Sequence, residues 1–196
     1  MESNLKGYNI ENQYGTYFIT FTLVGLIDLF TRKECVNIMI DSLNYCIDKK
    51  GLNVYAYVIM SSHVHLIVSA DENTSGLSDI IRDMRKHTAK ELLSFTLNSK
   101  QESRKEWLKE VYEYHGKYQK GSNNKIWKRG FHPILLEHPK FTSQKIQYIH
   151  NNPVTAGIVS QPEHYLNSSA GDYLGIKGKV KFTIIDFGIT EGYVFT

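Results

Sequence analysis

Two histidines one residue apart, His63 and His65, sit in the run Met60-Ser61-Ser62-His63-Val64-His65-Leu66-Ile67-Val68. The run reads as a strand, in which alternate side chains share a face. The two imidazoles then project together, about 7 Å apart at Cα, a spacing that lets both converge on one cation. Val64, Leu66 and Val68 point the other way, as a buried row would. Two ligands do not complete a metal site, so a third must come from elsewhere. Taken alone, the pair also reads as two polar residues on the open face of a half-buried strand.

A second constellation lies far downstream. Tyr148 and Asn152 are spaced i, i+4 in a helical stretch, on one face and about 6 Å apart along the axis. Gln144 stands one turn earlier on that face and is a candidate for supporting the site from behind its ligands. An amide oxygen such as that of Asn152 suits Mg²⁺ or Mn²⁺. A phenol one turn away could then act as nucleophile at a metal-bound phosphate. The plain alternatives are a packing role for Tyr148 and a helix-end role for Asn152.

The third set is basic. Arg82, Lys86 and Lys90 recur at i, i+4 and i+8 with Arg85 nearby, a row able to follow phosphates. Lys125, Trp127, Lys128 and Arg129 combine cations with an aromatic ring, as stacking on unpaired bases beside a backbone would need. Trp127 and Phe131 are equally readable as core. The chain carries +3 overall, yet residues 82–129 alone hold 13 Lys and Arg against 6 Asp and Glu. That asymmetry points to a polyanionic partner; a solvated helix surface is the bland alternative.

The elements that must position these residues follow from periodicity. Gly15 to Gly25 reads as a strand apolar on both faces, hence central. Thr31 is a candidate N-cap for a helix over 32–49, with Gly51 stopping it. Residues 52–60 form a second strand, and the histidine strand follows after Ser61-Ser62. A second long helix spans about 76–98, with Leu77, Ile80, Ile81, Met84, Thr88, Leu92 and Phe95 as its core stripe. Residues 102–115 suggest another helix, 115–124 a basic loop and 131–137 a fourth strand. Thr142 or Ser143 would cap the helix bearing Tyr148, which Pro153 would end. Strand, helix and an adjoining strand pair make the first half of a ferredoxin-like αβ sandwich, a fold that by itself fixes no function.

At 196 residues, with 41% hydrophobic and 22% charged residues, the chain has the composition of one globular domain. Residues 1–173 read as that domain, 1–14 as a loose arm and 174–196 as a tail of open role, with Val180 to Ile185 an added strand or an arm. No apolar run is long enough to span a bilayer, and the N-terminus lacks a signal-peptide pattern. Cys35 and Cys46 fall within one helix, about 16 Å apart, too far for a disulfide. They read as core thiols, and a cytoplasmic location is expected.

Taken jointly, the motifs add a resemblance. His63-Val64-His65 after two apolar strands, followed by Tyr148-Ile149-His150-Asn151-Asn152-Pro153-Val154-Thr155-Ala156-Gly157, resembles the single-tyrosine HUH transposases, in particular the REP-associated tyrosine transposase branch. The likeness spans about residues 15–173 and includes Trp127 to Phe131, Pro162-Glu163-His164-Tyr165 and Ser168-Ser169. It differs in having Leu166-Asn167 where the branch often has a Trp before its Ser-Ser pair. The resemblance implies an α+β, ferredoxin-like HUH core with an antiparallel sheet and added helices. It implies cleavage and strand transfer of single-stranded, hairpin-containing DNA through a 5′-phosphotyrosine. By position it makes Tyr148 the nucleophile, His63, His65 and Asn152 the metal ligands, and Mg²⁺ or Mn²⁺ the cofactor. A monomer and a homodimer are both compatible with it, and Tyr148 would serve either its own subunit or a partner's.

Rival readings stay open at this level. A silent descendant would bind DNA hairpins as a regulator without cutting. A metal-dependent nuclease would use water and leave no adduct. Replication initiators and relaxases often carry a longer His cluster or paired tyrosines, and Tyr148 has no second Tyr at i+3 or i+4. A ferredoxin-like RNA-binding module would expose Tyr17, Tyr55 and Tyr57, and would leave the histidines without a job.

Overall fold

A computed structural model describes residues 9–117 and 123–185. Four strands, β1 (Tyr17–Thr22), β2 (Leu52–Ile59), β3 (His63–Ala70) and β4 (Ile134–Leu135), form one sheet in the order β2-β3-β1-β4. All its pairings are antiparallel. Helices α1 (Lys33–Lys50) and α2 (Leu77–Asn98) follow the order of a βαββαβ sandwich; α3 (Lys105–Gly116) is inserted before β4, and α4 (Pro139–Thr155) is added after it. The mixed architecture and the antiparallel sheet match the expectation from sequence.

Strand alternation divides the core into two layers. Tyr17, Ile19, Phe21, Val64, Leu66 and Val68 bury one face beneath α1 and α2, with Leu43, Ile81 and Met84. Phe18, Ala56, Val58 and Ile67 bury the other face, under Ile146 and Ile149 of α4. Thus β1 and β3 are covered on both sides, which explains why both faces of β1 are apolar in sequence. Burial of the α2 stripe from Leu77 to Leu92 follows its 3.6-residue period, with Thr96 buried and Phe95 packed partly against the core.

Local details differ from the sequence reading where tertiary bonds compete. Thr31 does not cap α1; its hydroxyl donates to the Asp28 carbonyl. Gly51 does stop that helix, at φ 68°, its N–H donating to the Cys46 carbonyl. Helix α4 starts three residues before Thr142, at Pro139, a residue suited to a first helical position. It also runs through Pro153 to Thr155. A proline near a helix end removes only one late hydrogen bond, and the Ala156 N–H still reaches the Asn152 carbonyl. The fourth strand is two residues rather than seven.

Residues 9–14, read as part of a loose arm, are held in place. Ile10 is buried, and Gln13 accepts from the Ser78 and Leu77 N–H groups at the start of α2. That helix begins after Gly76, which has no side chain to cap it. The tail has a place too, up to residue 185. Asn44 of α1 bonds the Lys179 carbonyl and the Lys181 N–H, Lys181 pairs with Asp48, and Val180 enters the core. Thr183 donates to the Val54 carbonyl on the edge of β2. Residues 180–185 therefore cover an edge strand without forming a strand themselves. The central part of the basic loop, 118–122, and the tail beyond 185 lie outside the described residues.

Candidate active site

The face of β3 that carries His63 and His65 is the α4 face. Val64, Leu66 and Val68 are buried on the opposite one, as alternation requires. His63 pairs with Thr22 and His65 with Thr20 across to β1. The two imidazole centroids lie 4.8 Å apart. His65 is nearly buried, stacked on Phe18 at 5.3 Å, with Nδ1 at 2.8 Å from the Thr20 hydroxyl. His63 is half-buried, its Nδ1 at 3.3 Å from the Ser62 hydroxyl.

Helix α4 brings its two candidate residues over this face. The Tyr148 ring stands edge-on to His65, centroids 5.3 Å apart, and edge-on to Phe18 at 5.9 Å. Asn152 lies close enough to the His63 side chain for their interaction to favour the protonated imidazole. The register of α4 is set by Ile146 and Ile149, fully buried against the sheet, which leaves Tyr148 about half exposed at the rim. All four residues belong to one chain.

Burial holds both imidazoles neutral. It lowers the pKa of His63, against the opposing effect of Asn152. It lowers that of His65 to about 3, helped by repulsion from His63 whenever that ring is protonated and from the Lys145 ammonium. Neutral imidazoles keep the lone pair a metal needs. Among the described residues no three His, Cys, Asp or Glu cluster to hold an ion. Asn152 offers an amide oxygen beside the two rings as a third donor. Two nitrogens and one amide oxygen fit a divalent cation of the Mg²⁺ or Mn²⁺ kind with positions left for substrate oxygens.

Several residues that periodicity alone does not single out support this arrangement. His150 of α4 is fully buried, and its Nε2 lies 2.9 Å from the Ser169 hydroxyl. Ser169 also accepts from the Tyr57 N–H and donates its own N–H to the Tyr57 carbonyl. Tyr165 and Tyr173 donate their hydroxyls to the Ile59 and Tyr55 carbonyls. The segment after α4 is thereby fastened to the β2 edge, and α4 with it. Ser168-Ser169 and Tyr165 stand in the motifs quoted above, but nothing in the chain says which side chain they meet. Lys145 is visible in hindsight from spacing, three residues before Tyr148 on the same helix face.

The remaining candidates separate into groups. Gln144 is exposed, and no hydrogen bond from it reaches His63, His65 or Tyr148. Arg82 pairs with Asp79 and Asp83 on its own helix. Lys86 and Lys90 are exposed on α2, in the layer across the sheet from the histidines. Trp127 is core: it is 5% exposed, packs on Phe21 and Phe30, and donates Nε1–H to Thr88. It offers no free face for a base. Arg85 lies between the Phe21 and Phe131 rings, 5.5 Å from each, and donates to the Lys128 carbonyl; burial lowers its pKa. Lys128 and Arg129 are exposed. The Lys128 N–H donates to the Thr22 carbonyl, and Thr22 is the cross-strand partner of His63. This backbone bond joins the loop to the histidine end of the sheet. Lys125 donates its backbone N–H to the Tyr112 carbonyl and is half-buried.

Comparison with known proteins bears on the fold that carries this geometry. Residues 27–114 match the family model described as Transposase IS200 like, a span that holds both histidines and stops before α4. No curated protein sequence matches the chain. Among solved structures, a REP-associated tyrosine transposase bound to a REP hairpin aligns with 95% of this chain and 98% of its own, at 19% identity and TM-score 0.58. A Deinococcus radiodurans protein assigned as a transposase aligns with 69% of this chain and 88% of its own, at 18% identity and TM-score 0.42. Residues 27–114 are thus similar to the IS200-like transposase family, and the fold is similar to that of the REP-associated tyrosine transposase.

Proposed function

We propose that this protein cuts and rejoins single-stranded DNA through Tyr148, acting on hairpin-containing DNA with Mg²⁺ or Mn²⁺ held by His63, His65 and Asn152. One observation carries the reading: in a single chain, α4 sets Tyr148 against His65 and Asn152 against His63. The hairpin substrate is inferred from the relative of like fold that was solved on one.

The Tyr148 oxygen attacks the scissile phosphorus, forming a phosphorus–oxygen bond to the phenol. The bond to the 3′-oxygen breaks, and that oxygen leaves as a free 3′-OH once protonated. The 5′ end stays on the enzyme as a phosphodiester, so a later 3′-OH can reverse the attack and join strands. The bound cation supplies charge neutralisation and orientation at the phosphate. His63 and His65 stay neutral and so offer lone pairs. Thr20 orients His65 through Nδ1, which leaves Nε2 for the cation. The half exposure of Tyr148 leaves its hydroxyl open to a strand arriving from solvent, and the phenol needs no partner subunit to reach the histidines.

The test is a covalent adduct. Incubated with Mn²⁺ and a labelled single strand carrying a hairpin, the protein forms an SDS-stable complex, and Tyr148→Phe forms none while still binding. Cleavage without an adduct would establish the water-using nuclease, and binding without cleavage the silent regulator. An adduct that persists in Tyr148→Phe would remove Tyr148 from the chemistry.

A further inference from the structure

Resting on the reading of Tyr148 as nucleophile, we propose that Lys145 binds a non-bridging oxygen of the DNA phosphate brought to Tyr148. Lys145 lies three residues before Tyr148 on α4. Its Nζ sits over the Phe18 ring at 4.8 Å, the Phe141 ring at 5.3 Å and the Tyr148 ring at 5.5 Å. Aromatic faces attract an ammonium without cancelling its charge. Among the described residues no carboxylate pairs with Lys145, whereas Arg82, Arg104, Lys109 and Lys181 all have acidic partners. The groups nearest it on β1 and β3, Phe18 and His65, bring no negative charge.

The position is informative because it holds a cation without an acidic partner beside the nucleophile. Lys145 adds a positive charge beside His65, close enough to depress that imidazole further. A flexible lysine has open solvent available to it and three rotatable donors to satisfy. Here it is instead folded back onto rings that line the nucleophile. A phosphate at Tyr148 would supply the missing anion. The ammonium would then meet the same phosphate that a cation held by the histidines would neutralise. This role differs from that of the exposed basic residues on α2, which lie across the sheet. It also differs from that of Arg85, whose guanidinium is used on the Lys128 carbonyl and two rings.

Three variants decide the matter: Lys145→Gln, Lys145→Met, which keeps an apolar stem on the rings, and Lys145→Arg. Affinity for a labelled hairpin with a single-stranded flank is measured against salt in EDTA, where no cutting occurs. Adduct formation is then timed in Mn²⁺ at saturating DNA, with thermal midpoints as a folding control. For Gln and Met the slope of log K against log salt shrinks by about 0.7, one single-strand phosphate contact. Adduct formation slows on the order of a hundredfold, and Arg restores the salt slope. An unchanged slope in both neutral variants, or a wild-type rate at saturation, overturns the proposal. If the wild-type protein forms no adduct, the nucleophile reading fails, and the salt slope alone still decides whether Lys145 meets a phosphate.

Discussion

The Tyr148 ring meets the His65 imidazole edge-on, with centroids 5.3 Å apart and planes at 68°. This contact joins the last helix to the middle of the sheet, across 83 residues of chain. In the proposed reaction it joins the strand residue that would hold a cation to the helix residue that would attack a phosphate. Its geometry depends on partners behind each ring: Thr20 and Phe18 for His65, and the buried face of α4 for Tyr148.

The Thr20 hydroxyl gives the first prediction. Its bond occupies His65 Nδ1, which in the proposed site would leave Nε2 for a cation. Thr20→Val keeps the shape and removes the bond, and Mn²⁺ affinity falls roughly 10- to 100-fold. His63→Ala and Asn152→Ala weaken binding further by deleting a donor. Isothermal titration of the DNA-free protein reads all three. Wild-type affinity in Thr20→Val would show that His65 is oriented by its stacking on Phe18 alone.

Docking of α4 is tested at Ser169, remote from the reacting atoms. Ser169→Ala removes the hydroxyl that serves the Tyr57 N–H and the His150 Nε2, both buried. Leaving such groups unpaired costs about 2–4 kcal/mol in all. The thermal midpoint drops, and adduct formation falls at saturating DNA because Tyr148 loses its fixed place over His65. If Ser169→Ala melts lower but cuts at the wild-type rate, α4 is held by Ile146 and Ile149 without the His150 bond.

Trp127 separates a core role from a DNA role. Buried on Phe21 and Phe30, it cannot stack a base without unfolding its loop. Trp127→Ala therefore destabilises the fold by about 3–5 kcal/mol. Trp127→Phe, which keeps most of the packing, binds single strands as wild type does. A selective loss of DNA affinity in Trp127→Phe, with an unchanged melting curve, would restore the stacking reading.

The acid limb of stability follows from Glu102 and His65. Glu102 is buried, which alone would raise its pKa; hydrogen bonds from Arg104 and Arg32 overcome this and hold it at about 2. A depressed carboxylate stabilises the fold above its unfolded pKa of 4.5, and this is lost as pH falls through 2. His65, at about 3 in the fold against 6.5 unfolded, acts in the same direction from pH 6.5 downward. Urea melts in EDTA should show stability declining steadily from pH 6.5 toward 3. Glu102→Gln flattens the part below pH 4.5 and costs about 3 kcal/mol at neutral pH, because two arginines lose a buried partner. A Glu102→Gln protein as stable as wild type at pH 7 would dismiss the network.

The sequence alone determined whatever depends on short-range period. Alternation in β3 set His63 and His65 on one face with Val64, Leu66 and Val68 on the other, because strand geometry leaves no third direction. Helical period placed Tyr148 and Asn152 on one face of α4 and marked most of the buried stripe of α2. The joined motifs pointed to the fold, through a resemblance to transposases. Tertiary structure decided which side of the sheet α4 covers, because both faces of β1 are apolar and either could have received it. It decided that Trp127 is core, since an aromatic beside two cations has the same local pattern in either role. It gave Ser169, His150, Thr20 and Lys145 their partners. Those contacts join side chains 19 to 127 residues apart, or lie on a helix face whose orientation the chain does not state until the sheet is built.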